Sequence, residues 1–234
     1  MVESFLTFIT EKFQLTLRYH GKLHPKLWRN EKPVTGMKEL LLRNSYKFAE
    51  YSRVSRGKIV DVIITGGNSN YNYTKYSDID VHIIAKVTNE EAKALYQKKV
   101  EWTARNKDLR FAGYPVEFYI EQHSEERPAG QGAYSLLHDK WVSVPKHLDS
   151  VTALRDPSVL TKIKHEIHYI KVHLLRKGTA QEILDYKERL WRMRTSGLQK
   201  GGEFSTENIL YKDLRNRGFV DQLNTRLKAL GHKA

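Results

Sequence analysis

The sequence of 234 residues contains no cysteine, which excludes disulfide bonds and metal sites built from thiolates. No apolar run approaches the ~20 residues of a membrane-spanning helix, so we expect no such helix and no membrane partner. The first five residues lack the basic leader and small-residue cleavage site of a signal peptide. Together these absences favour a cytoplasmic protein.

Acidic residues are also scarce relative to basic ones. The chain has 27 Asp and Glu against 40 Lys and Arg, a formal net charge of +13. This excess favours a polyanionic partner, either nucleic acid or several phosphates at once, although a generally basic solvated surface gives the same balance. The excess per residue is larger in residues 151–234, which we therefore expect to hold an acceptor substrate.

Two carboxylates at the start of an apolar segment carry the strongest chemical signal. Asp78 and Asp80 alternate in Ser77-Asp78-Ile79-Asp80, directly before Val81-His82-Ile83-Ile84. Alternate residues of a strand point to the same face, so the two carboxylates, with His82, would project side by side. Such a pair is costly unless a cation lies between its members, and hard cations such as magnesium prefer carboxylate oxygens. Many Asp-x-Asp pairs are nevertheless only solvated strand edges or turns.

A third carboxylate extends this pattern. Glu117 stands alone between the apolar residues Val116 and Phe118 of a predicted strand. If that strand lies beside the strand of Asp80, the three carboxylates can hold two metal ions ~3.5–4 Å apart, an arrangement that serves in-line phosphoryl displacement. The glycine pair Gly66-Gly67 after an earlier apolar segment fits the same chemistry, because glycines let backbone N–H groups approach a phosphate chain.

The order Thr65-Gly66-Gly67, Ser77-Asp78-Ile79-Asp80 and Glu117 resembles the signature of the DNA polymerase β-like nucleotidyltransferase superfamily. The resemblance is closest to predicted nucleotidyltransferases found largely in tailed bacteriophages, which would place the protein in the host cytoplasm. It covers roughly residues 20 to 145. The segments that carry the phage resemblance are His24-Pro25-Lys26-Leu27-Trp28, Asn70-Tyr71-Asn72-Tyr73, Val116-Glu117-Phe118-Tyr119, Tyr134-Ser135-Leu136-Leu137 and Asp139-Lys140-Trp141.

The resemblance implies transfer of a nucleotide from a nucleoside triphosphate (NTP) to a hydroxyl, with two Mg²⁺ or Mn²⁺ ions and release of pyrophosphate. The implied catalytic and metal ligands are Asp78, Asp80 and Glu117. Many members have serine where this chain has Gly67, and Ser69 or the backbone would replace that hydroxyl. The other expected nucleotide contacts are Gly66, Gly67, Ser77, Lys75 and Tyr73, with the last two placed to stack a base and contact phosphate.

The acceptor stays open at this point. Positive charge favours RNA, including a tRNA-like end, and the candidate contacts to its backbone are Lys162, Lys164, Lys171 and Arg176. Nucleotidylation of a protein or small molecule, and synthesis of a second-messenger oligonucleotide, are alternatives. A rival of another class is a catalytically inactive nucleotide- or RNA-binding protein of the same fold, but such a protein has no need for three clustered acids.

We predict an α/β (α+β) fold: a small mixed or antiparallel sheet flanked by helices in a nucleotidyltransferase-like catalytic domain, residues 1–150, and a basic helical domain, residues 151–234, packed against it. Glu121 is expected beyond the end of the third strand, and the oligomeric state is not predicted. Strands are predicted at residues 59–65, 79–85 and 116–120, and helices at residues 4–18, 36–52, 88–105, 156–177, from 179 to a glycine-rich break at 197–202, and 206–230 with an interruption at Gly218.

Overall fold

The computed structural model describes residues 15–122, 131–146, 156–202 and 205–232. These residues divide into two compact units. The sheet unit contains the described residues from 19 to 146, and the helical unit contains those from 156 to 232 together with residues 15–18. The predicted helix over residues 4–18 lies mostly outside the described residues, and its last four residues are not helical.

The sheet unit alternates short strands with two helices. Its elements in chain order are β1 (Trp28–Arg29), β2 (Lys32–Pro33), α1 (Met37–Tyr51), β3 (Ile59–Thr65), β4 (Ile79–Ala85), α2 (Asn89–Arg105), β5 (Arg110–Phe111), β6 (Tyr114–Gln122), β7 (Ala133–Ser135) and β8 (Lys140–Ser143). The predicted α/β class is confirmed, and β3 and β4 have the predicted bounds. Strand β6 is longer than predicted at both ends, because it begins at Tyr114 and ends at Gln122.

Six strands form one mixed sheet with the order β5-β6-β4-β3-β7-β8. Strands β4 and β6 are parallel neighbours joined through α2, whereas β3 runs antiparallel to both β4 and β7. The register places Thr65 opposite Asp80, and Asp80 opposite Glu117. Three central strands therefore bring these residues to one face at one end of the sheet.

The two faces of this sheet differ because apolar and polar residues alternate along the central strands. Ile79, Val81 and Ile83 of β4 are fully buried and belong to a core shared with α1 and α2. Helix α2 begins with a capping box, in which the side chains of Thr88 and Glu91 accept hydrogen bonds from each other's backbone N–H groups. The helices thus cover one face, and the acidic residues occupy the other.

The helical unit consists of α3 (Pro157–Tyr169), α4 (Ala180–Gly201), α5 (Thr206–Asn216) and α6 (Phe219–Ala229). Asp156 is the N-cap of α3 and accepts a hydrogen bond from the N–H of Ser158, and Thr179 caps α4. A π-helical turn at Ile170–Leu174 continues α3 and was not predicted. The predicted break at Gly197 is wrong, because α4 continues through this buried glycine to Gly201. None of the described helices has the length and hydropathy needed to cross a membrane.

A buried carboxylate ties α5 to the segment before the sheet unit. Asp213 is fully buried and accepts hydrogen bonds from the backbone N–H and the hydroxyl of Thr16, both at 2.6 Å, and from Nε of Arg217 at 2.6 Å. Replacing Asp213 by alanine removes the acceptor of all three bonds while the donors stay in place. We expect the free energy of unfolding to fall by about 3–5 kcal/mol, measured by urea denaturation. A loss below about 1 kcal/mol would contradict this assignment.

Candidate active site

Three carboxylates meet at the open end of the sheet. Oxygen atoms of Asp78, Asp80 and Glu117 lie within 4.8 Å of one another, and all three residues are half-buried. Asp80 and Glu117 are opposite each other on the parallel strands β4 and β6, while Asp78 precedes β4 by one residue and shares the face of Asp80. The structure therefore places the three residues predicted as metal ligands in one cluster.

Gly66 lies against this cluster directly after the end of β3. Its backbone adopts φ 75° and ψ −165°, a conformation that is essentially restricted to glycine. A Cβ atom at this position would overlap Oδ2 of Asp80 and come within 2.9 Å of its Cγ. The missing side chain of Gly66 is therefore the space in which the Asp80 carboxylate sits.

Two asparagines brace the short 3₁₀ turn Gly67–Ser69 that follows. The side-chain amide of Asn68 donates to the carbonyl of Asp78 at 2.8 Å, and that of Asn70 donates to the carbonyl of Gly66 at 2.6 Å. The indole of Trp28 donates to the carbonyl of Asn68 at 2.7 Å, which fixes the turn from its buried side. These bonds hold the glycine turn and the first aspartate in one rigid arrangement.

Glu117 is bound by a lysine and a tyrosine that the sequence did not point to. Nζ of Lys99 on α2 lies 2.7 Å from Oε2 of Glu117, and the hydroxyl of Tyr119 donates to the same oxygen at 2.8 Å. Burial alone would raise the pKa of Glu117, but the hydrogen bonds from Lys99 and Tyr119 and the charge of Lys99 outweigh it and hold the pKa below its ordinary value. Glu117 is therefore ionised at neutral pH and suited to bind a cation.

The same face continues one step farther along the strands. His82 forms a short contact through Nδ1 with a carboxylate oxygen of Glu121, and its ring stacks on Tyr119 at 4.8 Å between centroids. The prediction that Glu121 lies beyond its strand is wrong, because β6 extends to Gln122. Burial and the nearby charges of Asp80 and Glu117 raise the pKa of Tyr119, so that this hydroxyl stays a proton donor.

The predicted nucleotide-binding residues fall into two groups. Gly66 lies against Asp80 and Gly67 lies against Ser77, whereas Ser69 is fully buried and its hydroxyl meets no hydrogen-bond partner among the described residues. Ser77 is also buried, and its hydroxyl accepts from the N–H of Thr74 at 3.0 Å, closing a turn. The contacts of both serines are thus with the protein interior, and a nucleotide contact from either stays a prediction.

Tyr73 and Lys75 belong to the loop before Asp78. The ring of Tyr73 stacks on His20 at 3.9 Å and meets His24 at 4.6 Å, while Lys75 is exposed and lies 4.9 Å from the ring centroid of Tyr76. One face of Tyr73 is therefore already covered by protein. Base stacking by Tyr73 and phosphate contact by Lys75 stay predictions.

The four predicted nucleic-acid contacts lie on α3 and its continuation. Lys162, Lys171 and Arg176 are exposed and Lys164 is half-buried. Lys162 and Lys164 are two residues apart on one helix and therefore point to different faces. Nucleic-acid binding by these four side chains stays a prediction.

The donor set fits a hard divalent ion. All three candidate ligands offer carboxylate oxygens, which Mg²⁺ and Mn²⁺ prefer over nitrogen or sulfur. The absence of a Cβ at Gly66 leaves room for the Asp80 carboxylate, and Glu117 is held ionised. Within the described residues this is the one such cluster of three or more potential metal ligands.

No protein-family model matches the sequence, and neither does the sequence of any curated protein. Among solved structures, the chain is similar to a STING-associated CdnE c-di-GMP synthase from Capnocytophaga granulosa at 11% identity, over 85% of this chain and 82% of that chain, with a TM-score of 0.22. The resemblance of the sequence to the polymerase β-like superfamily and its phage subgroup stays a prediction.

Proposed function

We propose that the protein is a metal-dependent nucleotidyltransferase that moves a nucleotide from an NTP to a hydroxyl acceptor. The observation that carries this proposal is the acidic cluster itself, with Asp80 seated in the space that Gly66 leaves open. Three half-buried carboxylates within 4.8 Å repel one another unless cations lie between them. A cluster of this kind next to a glycine turn is suited to bind a metal–triphosphate complex.

In this proposal each part of the site has a defined role. Asp78, Asp80 and Glu117 would hold two Mg²⁺ or Mn²⁺ ions, which when bound would neutralise charge on the phosphates and lower the pKa of the attacking hydroxyl. The turn at Gly66 and Gly67 lets the triphosphate approach the backbone N–H groups. Asn68 and Asn70 keep that turn fixed against the cluster, so that little reorganisation is needed when substrate binds.

The reaction would be an in-line displacement at the α-phosphorus of the NTP. A bond forms between the acceptor oxygen and the α-phosphorus, and the bond from that phosphorus to the oxygen bridging to the β-phosphate breaks. Pyrophosphate leaves with the electron pair of the broken bond, and the hydroxyl proton passes to solvent. RNA is the favoured acceptor because the chain has a net charge of +13.

The deciding experiment incubates the full chain and Mg²⁺ or Mn²⁺ with each of the four α-labelled triphosphates and total RNA, followed by gel electrophoresis. We expect label in RNA from one or more triphosphates, with no transfer by Asp78→Ala or Asp80→Ala. The control Asp108→Asn removes an exposed carboxylate before β5 and should transfer normally. Chromatography of the small products and parallel reactions with protein and metabolite extracts identify other acceptors.

Two results would reject the proposal. One is the absence of transfer to RNA, protein or small molecules from all four triphosphates. The other is RNA binding that needs no metal and is unaffected by Asp80→Asn, which would support the inactive binding protein instead. Transfer to a nucleotide or small molecule would keep the enzyme class and replace RNA as the acceptor.

A further inference from the structure

The ion pair between Lys99 and Glu117 places a fixed positive charge inside the acidic cluster. Only 14% of the Lys99 side chain and 25% of the Glu117 side chain are exposed, and Nζ lies 2.7 Å from Oε2. Nζ is also 4.6 Å from the ring centroid of Tyr119, which itself donates to Oε2. Two protein donors thus occupy one oxygen of the third carboxylate, and Oε1 is the oxygen left for other ligands.

Lys99 and its neighbour Lys98 have different partners and different exposure. Lys98, its neighbour on α2, pairs with Glu101 at 3.2 Å, and 44% of its side chain is exposed. A solvated pair of that kind contributes little. Lys99 instead points toward the sheet and contacts Glu117, one of the three clustered acids. The chain therefore carries a matched pair of adjacent lysines, one inside the cluster and one outside it.

The positive charge of Lys99 should weaken the binding of a second divalent ion to the three carboxylates. Three carboxylates carry three negative charges, and the ammonium of Lys99 offsets one of them. A first divalent ion offsets more of this charge, so a second divalent ion would bind a less negative site while being repelled by a half-buried ammonium close to its ligand. A triphosphate supplies the missing negative charge.

We infer that Lys99 is a positioning residue that makes the second divalent ion conditional on the triphosphate. Lys99 and Tyr119 hold Oε2 of Glu117, and the ammonium charge keeps the second ion away until the phosphates arrive. The inference deepens the proposed function and rests on it, because it assumes that Asp78, Asp80 and Glu117 bind divalent ions.

The test is direct measurement of Mn²⁺ binding to the full chain by electron paramagnetic resonance and calorimetry. The probes are Mn²⁺ alone and Mn²⁺ with an α,β-methylene triphosphate, which cannot transfer its nucleotide. Wild type should bind one Mn²⁺ alone and two with the analogue. Lys99→Met should bind two Mn²⁺ without the analogue, the second at least about tenfold tighter than wild type.

Three further variants separate charge from packing. Lys99→Arg keeps the charge and should behave as wild type, whereas Lys99→Gln keeps a hydrogen-bond donor but loses the charge and should behave as Lys99→Met. Lys98→Met should leave Mn²⁺ binding unchanged. Because Lys99→Gln keeps a polar side chain beside Glu117, its Mn²⁺ binding can still be measured if Lys99→Met folds poorly.

Several outcomes would overturn the inference. They are unchanged or weakened Mn²⁺ binding in both Lys99→Met and Lys99→Gln, two ions bound by wild type without the analogue, or no Mn²⁺ binding by wild type. None of these measurements depends on turnover. Failure of the proposed function would instead be seen as absent nucleotide transfer by a wild-type chain that still shows the Lys99-dependent binding.

Discussion

Replacing Gly66 by alanine should abolish metal-dependent nucleotide transfer. The added methyl group would overlap Oδ2 of Asp80, and the φ of 75° disfavours any side chain. Either the Asp80 carboxylate moves out of the cluster or the turn moves away from it. A displacement of about 1 Å at such a site costs on the order of 100-fold in rate, and loss of a metal ligand adds to that cost. The measurement is the transfer rate together with Mn²⁺ affinity.

Gly67→Ala provides a matched control in the adjacent position. Gly67 does not have the positive φ of Gly66, and the nearest atom to an added Cβ would be Oγ of Ser77 at 3.1 Å. That contact is tight, but it involves one side-chain oxygen and none of the three acids. Gly67→Ala should therefore retain Mn²⁺ affinity within about threefold of wild type. Equal losses of Mn²⁺ affinity in the two variants would show that the glycine turn as a whole, and not the Gly66–Asp80 contact, determines metal binding.

The acidic cluster was predictable because strand geometry turns sequence alternation into spatial proximity. Asp78 and Asp80 share a face by the period of two, and Ile79, Val81 and Ile83 fix which face that is, since their burial leaves no choice. The prediction that Glu117 lies beside the two aspartates assumed that its strand is a neighbour of β4. The parallel register of β4 and β6 confirms this assumption. The alternation along β4 and the correct pairing of β4 with β6 were therefore sufficient to predict that Asp78, Asp80 and Glu117 form one cluster.

The groups around the cluster were not predictable in the same way. Lys99 reaches Glu117 from a helix whose sequence contains several lysines, and nothing local distinguishes it from Lys98. Only the packing of α2 against β6 selects between them. The burial of Ser69 likewise depends on how the glycine turn packs in the folded chain, so the sequence did not show it. Both the Lys99–Glu117 contact and the burial of Ser69 depend on packing between segments that are distant in the sequence.

Replacing Asp80 by asparagine should separate function from stability. The change is nearly isosteric and removes one of three mutually repelling carboxylates. We therefore expect the free energy of unfolding of the metal-free chain to stay within about 1 kcal/mol of that of wild type. Nucleotide transfer should fall about 1000-fold, which corresponds to about 4 kcal/mol of lost transition-state stabilisation. Urea denaturation in chelator and the transfer assay measure the two effects.

The effect of Mn²⁺ on the free energy of unfolding tests whether Asp80 acts on nucleotide transfer through a bound metal ion. Mn²⁺ at a concentration of 100 times its Kd should stabilise wild type by about 2.7 kcal/mol through binding to the folded state alone. In Asp80→Asn this gain should disappear, whereas Asp108→Asn, which removes an exposed carboxylate, should keep it. If Asp80→Asn lost transfer and kept the full stabilisation by Mn²⁺, the ion would bind elsewhere. Asp80 would then act on the substrate and not through the metal, because a ligand that stabilises the fold must lose its effect when its site is removed.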